Sequence, residues 1–237
     1  MTPPLAPPDL ARVIDHTLLK ADATAKDIEQ LCAEAREFGF YSVCVNGCRV
    51  DQARTLLEDS PIKVAAVVGF PLGAMDADAK RFETEAAIDA GAQEIDVVIN
   101  IGRLKDGNHK YVLRELRDVV EAAEERIVKV ILETCLLTHE EKVNACQMVV
   151  DAGAQFVKTS TGFGAAGATI EDVKLLREIV GKKFGVKAAG GIRDAQTALA
   201  MIEAGADRLG TSASVAIVTC ASVPVAAAHA DRPGRRA

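Results

Sequence analysis

The sequence predicts an α/β protein with a single (β/α)8 TIM barrel, on three observations. Eight short β-rich runs alternate with helical patterns, one βα module recurs in three copies, and 237 residues match one such barrel. The runs fall near residues 13–17, 42–46, 63–69, 94–100, 128–133, 155–160, 185–189 and 207–210. Strands separated by helices pair in parallel through right-handed crossovers. The module reads DAGAQEIDVV at 89–98, DAGAQFVKTS at 151–160 and EAGADRLGTS at 203–212. In each copy a helix ends, Gly makes the sharp exit, and a strand follows. A doubly wound sheet is the competing arrangement. The strand count, the length and the lack of a GxGxxG after the first strand favour the barrel.

Each element has a local reason, because side chains alternate faces along a strand with period two. On strand one Asp15 opposes Ile14 and His16. Residues 24–37, TAKDIEQLCAEARE, predict a helix with Thr24 as N-cap and Gly39 just past its end. On strand two Val43 and Val45 point outward, Cys44 and Asn46 inward. On strand four the apolar Ile95, Val97 and Ile99 meet the helices, so Glu94, Asp96, Val98 and Asn100 share the inner face. Lys129 and Glu133 oppose Val130 and Leu132 on strand five, and Phe156, Lys158 and Ser160 share a face of strand six. Residues 169–180, TIEDVKLLREIV, predict a helix capped by Thr169 and stopped by Gly181. On strand seven Lys187 and Ala189 oppose Val186 and Ala188. The barrel domain is expected over residues 10–228, after a loose Pro-rich segment at 1–9 and before a flexible tail, HADRPGRRA, at 229–237.

Composition narrows the function. Apolar residues make up 49% and aromatics only 4%, so Val, Ile, Leu and Ala must build the core. The net charge is −6 with both signs scattered, which lacks the basic footprint of a nucleic-acid binder. The start, MTPPLAPPDL, has no signal-peptide pattern, and no apolar run is long enough to span a membrane. Cysteines at 32, 44, 48, 135, 146 and 220 form no C-x-x-C pair, as expected of reduced thiols in the cytoplasm. Histidines 16, 109, 139 and 229 do not cluster, so no metal is expected, and His16 reads as a packing or hydrogen-bonding residue.

Several charged side chains thus point into one barrel. Desolvation makes unpaired buried charge costly. For Lys129 and Glu133 a buried ion-pair network is the competing explanation. Lys158 and Lys187 sit on adjacent strands, and a purely structural interior has little use for two cations side by side. Chemistry does. A lysine with pKa near 10.4 is protonated at neutral pH, and lowering that value to near 7 takes roughly 4–5 kcal/mol. A second cation at about 4 Å supplies about 1 kcal/mol in water but about 4 kcal/mol at an effective dielectric near 20. A partly buried pocket adds desolvation in the same direction. The neutral amine then forms an imine with a carbonyl, and the imine stabilises an enamine without metal or cofactor. A carboxylate such as Asp96 moves protons, directly or through water.

Barrel sites form at the C-terminal ends of the strands, and phosphate often sits after strands seven and eight. Those strands end in Gly190-Gly191 and in Gly210-Thr211-Ser212. Close backbone approach, free N–H groups and a hydroxyl make an anion nest there, to which Gly162 in the Gly162-Phe163-Gly164 run adds another N–H.

Seven stretches carry a family resemblance: IDHTLL at 14–19, VCVN at 43–46, VVGFPLG at 67–73, EIDVVIN at 94–100, FVKTSTGF at 156–163, VKAAGGIR at 186–193 and LGTSAS at 209–214. With them the chain resembles the 2-deoxyribose-5-phosphate aldolases over nearly its whole length. The resemblance implies reversible cleavage of 2-deoxy-D-ribose 5-phosphate to D-glyceraldehyde 3-phosphate and acetaldehyde. It implies Lys158 as the Schiff-base lysine and Lys187 as the second lysine. It implies Asp96 as general acid/base, Asp15 as a supporting carboxylate near Lys187, and Cys44 as a cysteine close to the site, for which inert packing is the competing reading. It also implies a homo-oligomer, dimer or tetramer, whose partners are small sugar phosphates and aldehydes. Two departures stand out. Some members carry Lys where this chain has Phe163, and some end in a tyrosine, whereas the tyrosines here are Tyr41 and Tyr111. The alternatives are a Schiff-base aldolase for another small phosphorylated or keto-acid substrate, and a non-catalytic barrel that binds phosphorylated metabolites.

Overall fold

In the computed structural model, which describes residues 10–221, eight strands among those residues close into one parallel barrel. They are β1 (Ile14–Leu18), β2 (Ser42–Asn46), β3 (Lys63–Val68), β4 (Glu94–Val98), β5 (Ile127–Ile131), β6 (Phe156–Lys158), β7 (Gly185–Ala189) and β8 (Arg208–Thr211). Neighbours in sequence are neighbours in the sheet, and β1 closes on β8 with Asp15 opposite Gly210. The segments 1–9 and 229–237 lie outside the described residues.

Helices cover the outside: α1 (Ala25–Phe38), α2 (Val50–Leu56), α3 (Ala77–Asp89), α4 (Ile101–Lys105), α5 (His109–Ala122), α6 (His139–Asp151), α7 (Ile170–Val180), α8 (Ala195–Glu203) and α9 (Ser214–Ala221). The expected stops and starts hold at α1 and α7. Thr24 and Asp27 form a capping box, and Gly39 ends α1 in the left-handed region with φ 68°. Thr169 accepts from the Asp172 N–H, and Gly181 follows Val180. His16 faces outward and ties β1 to α1 and α9 through Glu34 at 2.7 Å and Ser214 at 2.9 Å.

Two separate apolar clusters show which way the strands face. Outward residues such as Val43, Val45, Ile95, Val97, Val130 and Val186 join the helix residues in the main core. Inside the barrel Cys44, Ala65, Val67 and Leu19 form a small second cluster with Phe70 against it. Most of the remaining interior is polar.

Three strands end two residues earlier than expected. β4 stops at Val98 because Asn100 turns to cap α4, accepting from the Arg103 N–H at 3.1 Å. β5 stops at Ile131, and Glu133, expected on that strand, lies beyond it with φ 54° and ψ 62°. β6 stops at Lys158, where the Thr159 side chain turns to β7 and accepts from the Ala189 N–H at 3.1 Å.

At the N-terminal end of the barrel the Phe156 ring lies across β7. A Cβ at Gly185 would come within 2.3 Å of it. Gly185→Ala should therefore overpack this layer and destabilise the protein by about 1–3 kcal/mol. Urea unfolding should show a lower midpoint at unchanged slope, and Phe156→Leu in the same chain should recover most of the loss. An unchanged midpoint in the single variant would contradict this packing.

Candidate active site

Asp96 sits at mid-strand on β4, beside Lys129 on β5 in the ladder, while Lys158 on β6 pairs with Lys187 on β7. The strand pleat turns all four side chains inward. Asp96 Oδ2 accepts from both Lys158 Nζ and Lys187 Nζ at 2.7 Å, and Oδ1 accepts from Lys129 Nζ at 2.8 Å. Asp15 reaches the same cluster from β1. Lys187 and Arg208 both donate to it, Arg208 at 2.8 Å, and the Ser42 hydroxyl donates at 2.7 Å. Below them Glu94 pairs with Lys129 at 2.5 Å and with Arg208 at 3.5 Å. The Arg208 guanidinium lies 3.3 Å over the Tyr41 ring.

The charges can be counted. Asp15, Glu94 and Asp96 are three buried carboxylates, and Lys129, Lys187 and Arg208 are three cations paired with them. Lys158 is the fourth basic group, so this ion-pair cluster balances when its amine is neutral. The titration directions follow this balance. Burial lowers the Lys158 pKa, Asp96 opposes that, Lys187 adds to it, and the net position is below the ordinary lysine value. Burial also disfavours charged Lys187, but Asp15 and Asp96 outweigh it and raise its pKa. Lys129 is raised likewise by Asp96 and Glu94 against burial. Burial pushes Asp96 up, yet Lys129, Lys158 and Lys187 hold it well below the usual carboxylate range, and Asp15 is held low by Lys187, Lys129 and Arg208. Asp96 is therefore held ionised, as the shared acceptor of the three lysine nitrogens.

Access separates the lysines. Lys187 and Lys129 are fully buried, whereas Lys158 lines a cavity of about 380 Å³ at the C-terminal mouth of the barrel. The expected Gly162, Gly190, Gly191, Gly210, Thr211 and Ser212 line the same cavity. The Gly162 and Gly191 N–H groups make no hydrogen bond among the described residues. Two of these residues also have partners within the protein. The Thr211 hydroxyl is engaged within the protein, donating to Ile192 O at 2.7 Å and accepting from the Ala213 N–H at 3.0 Å, which leaves the exposed Ser212 as the available hydroxyl. Gly210 serves Lys187 as well as the cavity, since a Cβ there would lie 3.0 Å from Lys187 Cε.

Neither Asp15 nor Lys187 lines the cavity, and Asp15 is linked to Lys158 through Lys187 and Asp96. Cys44 is fully buried in the inner apolar cluster, and burial, with Asp96, keeps its thiol protonated. Lys129 belongs to the ion-pair network, the competing explanation for that residue. Glu133 does not join the network among the described residues. Phe163 is 55% exposed at the mouth, edge-on to Phe70 at 5.2 Å. Unforeseen are Lys20 and Arg193, exposed cations on the cavity rim, and Arg208. Arg193 was within reach, being next to the Gly190-Gly191 turn. Arg208 shares its strand face with Gly210, and that parity was its signal. Among the described residues no three His, Cys, Asp or Glu side chains converge as a metal would require. Nor is any helix among them long and apolar enough to cross a membrane.

Comparison with known proteins agrees with this geometry. The family described as DeoC/LacD family aldolase matches residues 10–218. The deoxyribose-phosphate aldolase of Alkaliphilus oremlandii (strain OhILAs) is 62% identical over 211 residues, covering 89% of this chain and 95% of that relative. That of Thermoanaerobacter sp. (strain X514) is 57% identical over 213 residues, covering 89% and 96%. Among solved structures, the tetrameric deoxyribose phosphate aldolase from Aeropyrum pernix superposes with a TM-score of 0.85 at 35% identity, covering 90% of this chain and 91% of that one.

The charge balance predicts unequal costs. Lys158→Met removes the odd cation and should change stability by less than about 1.5 kcal/mol. Asp96→Leu leaves Lys129 and Lys187 facing each other and should cost about 3–5 kcal/mol. Equal losses in denaturant titrations would show that Lys158 is an integral partner of the network instead.

Proposed function

The chain belongs to the DeoC/LacD aldolase family, and from that premise we propose that it cleaves 2-deoxy-D-ribose 5-phosphate reversibly to D-glyceraldehyde 3-phosphate and acetaldehyde through an imine on Lys158. One observation carries the reading: the lysine that leaves the ionic count unbalanced is the one that opens onto the cavity.

The neutral Lys158 amine attacks the C1 aldehyde of the open-chain sugar. The carbinolamine takes up a proton from solvent and loses water, forming the protonated imine. Lys187, held charged by Asp15 and Asp96, stabilises negative charge developing on the departing oxygen. The C3 hydroxyl loses its proton to the Asp96 carboxylate, directly or through water. The C2–C3 bond then breaks, its electron pair moves into the imine, and glyceraldehyde 3-phosphate leaves an enamine. Protonation at C2 and hydrolysis release acetaldehyde and restore the amine. At the other end of the cavity the free N–H groups of Gly162 and Gly191, the Ser212 hydroxyl, and the rim cations Lys20 and Arg193 suit a phosphate dianion. Gly190, Gly210 and Thr211 shape that end by close backbone packing and bracing. Cys44 acts as packing beneath the lysines. The proposal includes a barrel domain over 10–228, a cytoplasmic setting and a homo-oligomer. The tetramer of the Aeropyrum pernix relative supports the last.

Borohydride reduction in the presence of acetaldehyde should leave an ethyl group on the Lys158 peptide, and none there in Lys158→Ala. Recovery chiefly on another lysine would reassign the nucleophile. Lys187→Leu should fold yet lower kcat by about 10²-fold or more. Because Lys187 depresses the Lys158 pKa, the acid limb of kcat/KM should also move to higher pH in that variant. An unshifted limb would remove Lys187 from the tuning of Lys158.

A further inference from the structure

Just past β5 lies a carboxylate that neither the ionic network nor the imine chemistry uses. Glu133 is 3% exposed, and no cation pairs with it among the described residues. Its backbone, at φ 54° and ψ 62°, sits in the left-handed region. A non-glycine residue there costs on the order of 1–2 kcal/mol, and burying a carboxylate without a cation costs more. Two penalties at one position need a compensating role.

Besides a long contact from the Cys135 thiol at 3.9 Å, the carboxylate grips one turn. The Thr161 hydroxyl donates to Glu133 Oε2 in a short bond, and the Thr161 N–H donates to Oε1 at 3.4 Å. Thr161 Oγ1 in turn accepts from the Phe163 N–H at 3.0 Å. Gly164 closes the turn against the same carboxylate, where a Cβ would lie 3.0 Å from Glu133 Cδ. Thr161, Gly162 and Phe163 are all cavity wall. The Gly162 N–H has no partner among the described residues, and the Phe163 ring meets Phe70 across the mouth. One buried carboxylate therefore determines where the β6 side of the cavity stands, while Lys158 is held separately by Asp96.

We propose that Glu133 is a positioning residue for the phosphorylated end of the substrate: by holding the Thr161–Phe163 turn it sets the place of Gly162, so that substrate affinity depends on it and imine formation does not. This rests on the reading of the cavity as a sugar-phosphate site. Mutational loss should appear as a KM effect confined to phosphorylated substrate.

The test compares Glu133→Ala, Glu133→Gln and Thr161→Val with the parent on 2-deoxyribose 5-phosphate and on unphosphorylated 2-deoxyribose. Borohydride trapping of acetaldehyde runs alongside. Glu133→Ala should raise KM for the phosphate ester about tenfold or more, change kcat little, and leave KM for the free sugar and the trapping on Lys158 intact. Glu133→Gln, which still offers an acceptor to the Thr161 hydroxyl, should recover part of the loss, and Thr161→Val should reproduce it. If Glu133→Ala fails to fold, the other two variants decide. Unchanged KM in those that fold, or equal losses on both sugars, would overturn the positioning role while the parent enzyme still trapped acetaldehyde and preferred the phosphate ester. A parent that did neither would overturn the sugar-phosphate reading, and this inference with it.

Discussion

The Asp96 carboxylate is the point on which the interior depends. Its two oxygens receive three lysine side-chain nitrogens from three strands. Without it Lys129 and Lys187 would face each other in a volume from which water is largely excluded, and that repulsion would be barely screened. The closed barrel makes this density of charge possible because eight strands deliver inward side chains to one axis. Each charge can find a partner from another strand instead of from its own.

From that arrangement follows the division of labour among the lysines. Lys129 and Lys187 are locked by two carboxylates each, Glu94 with Asp96 and Asp15 with Asp96. Lys158 shares one oxygen of Asp96 with Lys187 and has no carboxylate of its own. Burial therefore acts on it with the least opposition, and it is also the lysine that reaches the cavity. A lysine with a lowered pKa beside a charged one arises from a shortage of one negative charge in the ion-pair cluster. The wall of the cavity is held by different means. Glu133, Thr161 and the close-packed backbones of Gly167 and Gly190 shape the β6–β7 side of the cavity independently of the ionic cluster.

Much of this was legible before the fold was known. Period-two alternation placed Asp15, Asp96, Lys158 and Lys187 inside, because helices must cover the apolar face of each strand. Glu94 was inward by the same parity, though its partners were not evident. Parity failed at Glu133 because it presumes an extended backbone, and this residue leaves β5 for a left-handed conformation. The Thr211 hydroxyl was illegible for another reason. A hydroxyl in a Gly-rich turn reads as a ligand contact, but whether it bonds instead to Ile192 O depends on how the loops after β7 and β8 meet.

The sequence by itself determined the barrel, the inward set of charged residues and the Gly-rich turns, since these follow from local periodicity and from residue types with few alternative uses. Tertiary structure alone decided which charge pairs with which, and so which lysine is left without a balancing carboxylate. It also decided that Lys20, Arg193 and Ser212 share one rim and that Glu133 grips Thr161. Those outcomes are distances between strands and loops far apart in the chain. Electrostatics in a buried interior turns on a few ångströms of such distance, which no local pattern encodes.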